Sequence, residues 1–149
     1  MEEKLQTLSK IQNLVVARYR NGKMIRGMTH DFGPQKKAFH VNTVEKEGKG
    51  IGGKVFEVFL SELKAVFFVK SLEGKQDPHS PKGLVDDKLL AQGLMKVRVT
   101  FFDEEILVGT THGYTHEREG FFIAPLESDS NNLRIFVISS AVKSVETWR

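Results

Sequence analysis

At 149 residues the chain has room for one ordinary domain or two very small ones, and its 40% hydrophobic and 28% charged residues are those of a globular protein. No apolar run approaches the roughly 20 residues needed to cross a bilayer, and Glu2, Glu3 and Lys4 stand where a secretory signal needs apolar side chains. The lack of cysteine excludes disulfides and thiol chemistry, so a cytoplasmic location is the simplest expectation.

Leu5, Leu8, Ile11 and Leu14 recur at helical spacing, which predicts a helix over Glu2 to Asn13. Strands follow at Leu14 to Arg20 and Lys23 to Asp31, joined by Asn21-Gly22, a strong two-residue hairpin signal. Gly33-Pro34 breaks the second strand, and Lys37 to Val44 makes a third. The glycine-rich run Glu45 to Gly53 reads as a connection. Lys54 to Leu60 and Leu63 to Val69 are the fourth and fifth strands, with Ser61-Glu62 between them. Residues 71–83 form a linker rich in turn-formers, and Leu84 to Leu90 suggests a short helical turn. Five more strands are expected at Met95 to Phe102, Glu105 to Gly113, Gly120 to Ala124, Leu133 to Ile138 and Ala141 to Trp148.

The second five strands repeat the first. Val15 to Phe32 aligns without a gap on Val97 to Tyr114, placing Gly27 on Gly109 and Thr29-His30 on Thr111-His112. After a net shift of three residues, Val58 falls on Val137, Ser61 on Ser140, Lys64 on Lys143 and Val66 on Val145. A period this long marks two copies of one folding unit. Residues 1–75 are expected to hold the helix and the first copy, and 76–149 the linker and the second. Charge is split between them: 14 Lys/Arg against 8 Asp/Glu in 1–75, net +6, and 8 against 11 in 76–149, net −3. That bias suits an anionic partner for the first half, or head-to-tail association of chains.

The stretch Asn21-Gly22-Lys23-Met24-Ile25-Arg26-Gly27 resembles the first signature of Sm-like barrels, and Leu107 with Gly109 keeps part of it in the second copy. The chain from about 14 to 148 is also similar to an uncharacterised bacterial tandem-repeat domain family found in signalling contexts. The segments carrying that likeness are Gly109 to Tyr114, Gly120-Phe121-Phe122 and Ser130 to Val137. The resemblance implies a mainly β fold with an N-terminal α-helix, its two tandem Sm-like or SH3-like five-stranded antiparallel barrels packed together. It implies no activity. Leu60-Ser61-Glu62 and Ile138-Ser139-Ser140 lack the basic residue and glycine of the second Sm-like signature, so RNA binding is not inherited. Arg18-Tyr19-Arg20 and Asp31-Phe32-Gly33 likewise miss the spacing and serine of a PilZ-type nucleotide receptor.

No convincing catalytic set is present. His30 has Asp31 beside it, but His112 has Gly113, so the repeat keeps no dyad. His112 and His116 are four apart on a strand and turn, where they need not converge on zinc. Gly48 to Gly53 imitates a phosphate loop, but the strand-like Lys54 to Val58 follows it instead of a helix. Neither metal nor cofactor is expected, and the chain reads as a non-enzyme. Three adjacent aromatic pairs carry more information: Phe67-Phe68, Phe101-Phe102 and Phe121-Phe122. Neighbours on a strand face opposite ways, so one of each pair needs cover from outside its own core. These six are candidate interface residues. Arg18, Arg20, Lys23, Arg26, Lys36 and Lys37 are candidate phosphate contacts, and Ser130-Asn131-Asn132 is a candidate polar recognition loop. The leading expectation is a non-catalytic binding or adaptor module of the bacterial cytoplasm, working through protein partners or self-association. Nucleic-acid binding by the basic first half is the alternative, and a second-messenger sensor of PilZ-like type the third. No membrane partner is expected.

Overall fold

The structure, a computed structural model, describes residues 13–43, 53–72, 94–112, 114, 118–127 and 129–148. Ten strands account for most of them: β1 (Asn13–Tyr19), β2 (Met24–Thr29), β3 (Ala38–Thr43), β4 (Val55–Phe59), β5 (Leu63–Val69), β6 (Met95–Phe101), β7 (Ile106–Thr111), β8 (Gly120–Pro125), β9 (Asn132–Ile138) and β10 (Val142–Trp148). Single 3-10 turns at Leu60–Glu62 and Ser139–Ala141 join the last two strands of each copy.

Local chemistry sets the hairpins. In β1, Val15 and Ala17 are fully buried while their neighbours are partly exposed, the alternation of a half-buried strand. At the first turn Gly22 takes φ +90°, and the Asn21 side chain accepts the Lys23 N–H at 2.9 Å. The second copy reaches the same turn with other residues. Glu104 takes φ +74°, and Asp103 accepts the Glu105 N–H at 3.0 Å. Asp and Asn close such turns through the same side-chain oxygen.

Gly27 and Gly109 mark equivalent close crossings in the two copies. A Cβ on Gly27 would overlap the Asn42 carbonyl oxygen, and one on Gly109 the Ala124 carbonyl oxygen. At each crossing the register pairs only two residues, Gly27↔Thr43 and Met28↔Asn42, then Gly109↔Pro125 and Thr110↔Ala124. The strands therefore meet closely and diverge, and glycine is what lets the backbones touch.

All ten strands belong to one antiparallel sheet, in the order β10-β6-β7-β8-β9-β5-β1-β2-β3-β4. This corrects the expectation of an N-terminal helix with two packed five-stranded barrels. No α-helix occurs among the described residues. Residues 2–12, where the helix was expected, lie outside them, and Asn13 opens β1. The short helical turn over 84–90 and nearly all of the glycine-rich connection also lie outside.

The sheet is continuous because β5 and β9 hydrogen-bond to each other, with Ala65↔Val137, Val66↔Phe136, Phe67↔Ile135 and Phe68↔Arg134 in register. Both strands are apolar on two faces. Val66, Phe68, Phe136 and Ile138 enter a first core with Val15, Val41 and Val58. Ala65, Phe67, Ile135 and Val137 enter a second with Val97, Phe101 and Ile123. Separate barrels would leave one face of each of these strands in water, so the copies fuse through them.

Candidate functional site

Most of the predicted aromatic interface lies inside the chain. Phe68 sits in the first core, Phe67, Phe101 and Phe121 in the second, and half-buried Phe122 packs against the first. Around the seam, the Phe32 ring meets Phe39, Phe68 and Phe136 edge-on, with centroids 5.1 to 5.4 Å apart. Arg134 covers this cluster, its guanidinium 4.5 Å from the Phe68 ring centre and 4.7 Å from that of Phe122. Phe102 alone of the six stands in solvent, 67% exposed.

The predicted basic residues divide. The Arg18 guanidinium lies 3.2 Å from the Glu105 carboxylate and 5.5 Å from the Phe67 ring centre. Arg20 donates to the Ser140 hydroxyl and to the Leu63 carbonyl. Lys36 donates to the Asp31 carbonyl at 2.9 Å. Two of the three tie the halves together. Lys23, Arg26 and Lys37 are exposed.

A cationic residue that the phosphate-contact reading passed over is Lys64. Only 4% exposed, it bonds Asp103 at 2.7 Å and also Glu105, with its ammonium 4.7 Å from the Phe101 ring centre. A lysine within the apolar run Leu63 to Val69 was the signal that could have found it. The Lys64 hydrogen bond holds the Asp103 carboxyl below the usual range, with help from the Glu105 N–H.

Members of all three predicted sets meet in a cleft of about 210 Å³ beside the seam. Val16 and Arg18 of β1, Met24 and Arg26 of β2, and Phe67 and Val69 of β5 line it together with Ser71, Leu72, Asn131 and Asn132. Asn131 is fixed by a reciprocal pair of bonds, accepting from the Ser71 N–H at 3.1 Å and donating to its carbonyl at 2.9 Å. Ser130 accepts the Asn132 N–H at 3.1 Å and lies outside the cleft lining. The polar loop thus latches the end of β5.

Asp31 finds His40, not His30: the His40 Nδ1 lies 2.7 Å away and the His40 N–H donates to the carboxylate at 2.9 Å. Partial burial pushes the Asp31 carboxyl up, but the two His40 hydrogen bonds, the Thr29 hydroxyl and the His40 charge outweigh it and bring it down to about 2. No three His, Cys, Asp or Glu side chains converge as metal ligands among the described residues, and His116 lies outside them. No helix among them is long and apolar enough to cross a membrane.

A family model matches residues 11–148. The chain belongs to a family of unknown function, DUF6982. Neither a curated protein nor a solved structure matches it. The match spans both copies of the repeat.

One exposed apolar feature was not among the predicted sites. β4 is an end strand of the sheet, and its Val55, Phe56 and Phe59 are 62%, 41% and 43% exposed. Alternating apolar residues on both faces of Val55 to Leu60 carried the signal, but pairing partners decide exposure and the sequence does not print them.

Proposed function

We propose that this chain is a non-catalytic binding module whose working surface is the open ends of its sheet, through which it takes a protein partner or another copy of itself. The observation that carries the reading is β4, whose outer edge is unpaired among the described residues and which bears Val55, Phe56 and Phe59. Unpaired edge strands present rows of N–H and C=O groups to any extended chain, and proteins usually blunt them with charge or proline. β4 has a single charge, Glu57, and no proline. The likeness of Asn21-Gly22 and Gly27 to the Sm-like signature belongs to this reading as a likeness of sequence, as do the bacterial cytoplasm and a signalling context.

Affinity capture from cells with the intact chain and with a Val55→Lys/Phe59→Lys variant tests it. The reading expects nuclease-resistant protein retained by the first and lost by the second. Recovery of nothing but nuclease-sensitive material would contradict it.

A second reading, binding of an anionic polymer such as RNA, is favoured by the cleft that Arg18 and Arg26 line together with Phe67. It predicts retention that falls steeply with salt. Binding that is unchanged in Arg26→Ala, or insensitive to salt, would count against it.

A further inference from the structure

We infer that chains assemble head to tail, β10 of one pairing antiparallel with β4 of a second copy in the register that joins β5 to β9 within the chain. The inference rests on reading the open edges as the binding surface, and it names the occupant.

The duplication supplies the argument. β10 is the repeat counterpart of β5, and β4 that of β9. Every residue of β5 is buried, and so are the last four of β9. In the counterparts that protection is gone: no residue of β10 is buried, and only Val58 of β4 is. The difference lies in position. β5 and β9 have each other, whereas β10 and β4 are the two ends of the sheet among the described residues. Each end thus offers the half of a junction that the other end lacks.

Carrying the β5–β9 register across the repeat sets Ser144 opposite Val58, Val145 opposite Glu57, Glu146 opposite Phe56 and Thr147 opposite Val55. Diagonal neighbours in such a pair lie within reach of long side chains. Lys54 then neighbours Glu146, and Glu57 neighbours Lys143, so both diagonals join opposite charges. Trp148 falls opposite Gly53, as Val69 falls opposite Asn132. The net charges of +6 and −3 on the two halves favour the same polarity.

The contact is weaker than its model inside the chain. Where β5 offers Ala65, Phe67 and Val69 to the neighbouring core, β10 offers Ser144, Glu146 and Trp148. Assembly is therefore reversible and rises with concentration. Being heterologous, it closes into a ring or runs on as a filament according to the rotation per step.

The absence of native cysteine makes the register directly testable in the full chain. Phe56→Cys and Glu146→Cys chains, each verified as folded by circular dichroism, are oxidised separately and mixed. The inference expects disulfide-linked heterodimers from the mixture and none from either chain alone. Homodimers of Phe56→Cys alone would show a symmetric β4–β4 contact and overturn it, as would no cross-link at concentrations where the native chain self-associates. A charge exchange gives a second arm: Phe56→Glu, opposite Glu146, should weaken self-association roughly tenfold or more, and adding Glu146→Lys should restore it. Failure of that rescue would also overturn the register. A native chain that stays monomeric to roughly millimolar concentration overturns the inference. If it still captures a partner through β4, the binding-module reading survives; if it captures nothing, both fall.

Discussion

Lys64 Nζ and Asp103 Oδ2 lie 2.7 Å apart and come from different copies of the repeat, so a buried ammonium is neutralised only because the halves are joined. Glu105 completes the arrangement by bonding Lys64 and Arg18 together. Glu105→Ala should destabilise the chain by about 1–3 kcal/mol, the scale of charge-assisted hydrogen bonds. Lys64→Met should cost less, because it removes the buried ammonium and leaves behind only the Asp103 and Glu105 carboxylates, which are exposed enough for water to solvate. Urea unfolding midpoints of the two variants check the asymmetry.

Acid should weaken the fold in a defined window. In the folded chain Asp31 is held at about 2, below its ordinary 3.8, and Asp103 is lowered as well. Folded carboxylates that bind protons less tightly than unfolded ones add stability that is complete above the ordinary value and drains away as pH falls through the folded value. Melting temperature should therefore drop between about pH 4 and pH 2. Asp31→Asn should flatten part of that limb and leave the profile near neutrality unchanged in shape.

The two crossing glycines should tolerate no side chain. The atoms that a Cβ would strike are backbone carbonyls of Asn42 and Ala124, which cannot swing aside as a flexible side chain would. Gly27→Ala and Gly109→Ala should each cost about 1–3 kcal/mol. Gly22→Ala meets nothing within 4 Å and is strained only by its positive φ, so it should cost less, about 1 kcal/mol. Thermal melts of the three variants give the ranking.

A shared strand pair should make the two copies unfold as one. Phe67 and Phe136 each serve a core on the far side of the seam from their own copy. Phe136→Ala should therefore lower stability by about 3–5 kcal/mol and shift a single transition, not split it in two. Calorimetric and van't Hoff enthalpies should agree. Two resolved transitions would mean that the halves fold independently.

The strands were legible because alternation is a local property. Leu63 to Val69 was placed to the residue, and most other boundaries fell within two residues of their places. Asn21-Gly22 and Gly27 announced a turn and a close crossing by residue type alone. Two of the aromatic pairs, Phe67-Phe68 and Phe121-Phe122, do have a second face that is covered, whereas Phe102 of the third stays in solvent. The cover comes through a β5–β9 pairing that depends on residues about 70 apart, which nothing local announces. For the same reason Arg18 and Arg20 read as free cations, although each is bonded to the second copy. Exposure of β4 was hidden because nothing local distinguishes an apolar strand with two neighbours from one with a single neighbour.

Amide hydrogen exchange followed against protein concentration tests the central claim, that the sheet ends are the binding surface, most directly. Amides of β5 and β9 should exchange slowly at every concentration, because their partners are within the chain. The outward-facing amides of β4 and β10, those not bonded to β3 and β6, should exchange quickly when dilute and become protected together as concentration rises. Self-association that leaves β4 and β10 unprotected, or protects only one of them, would contradict the account.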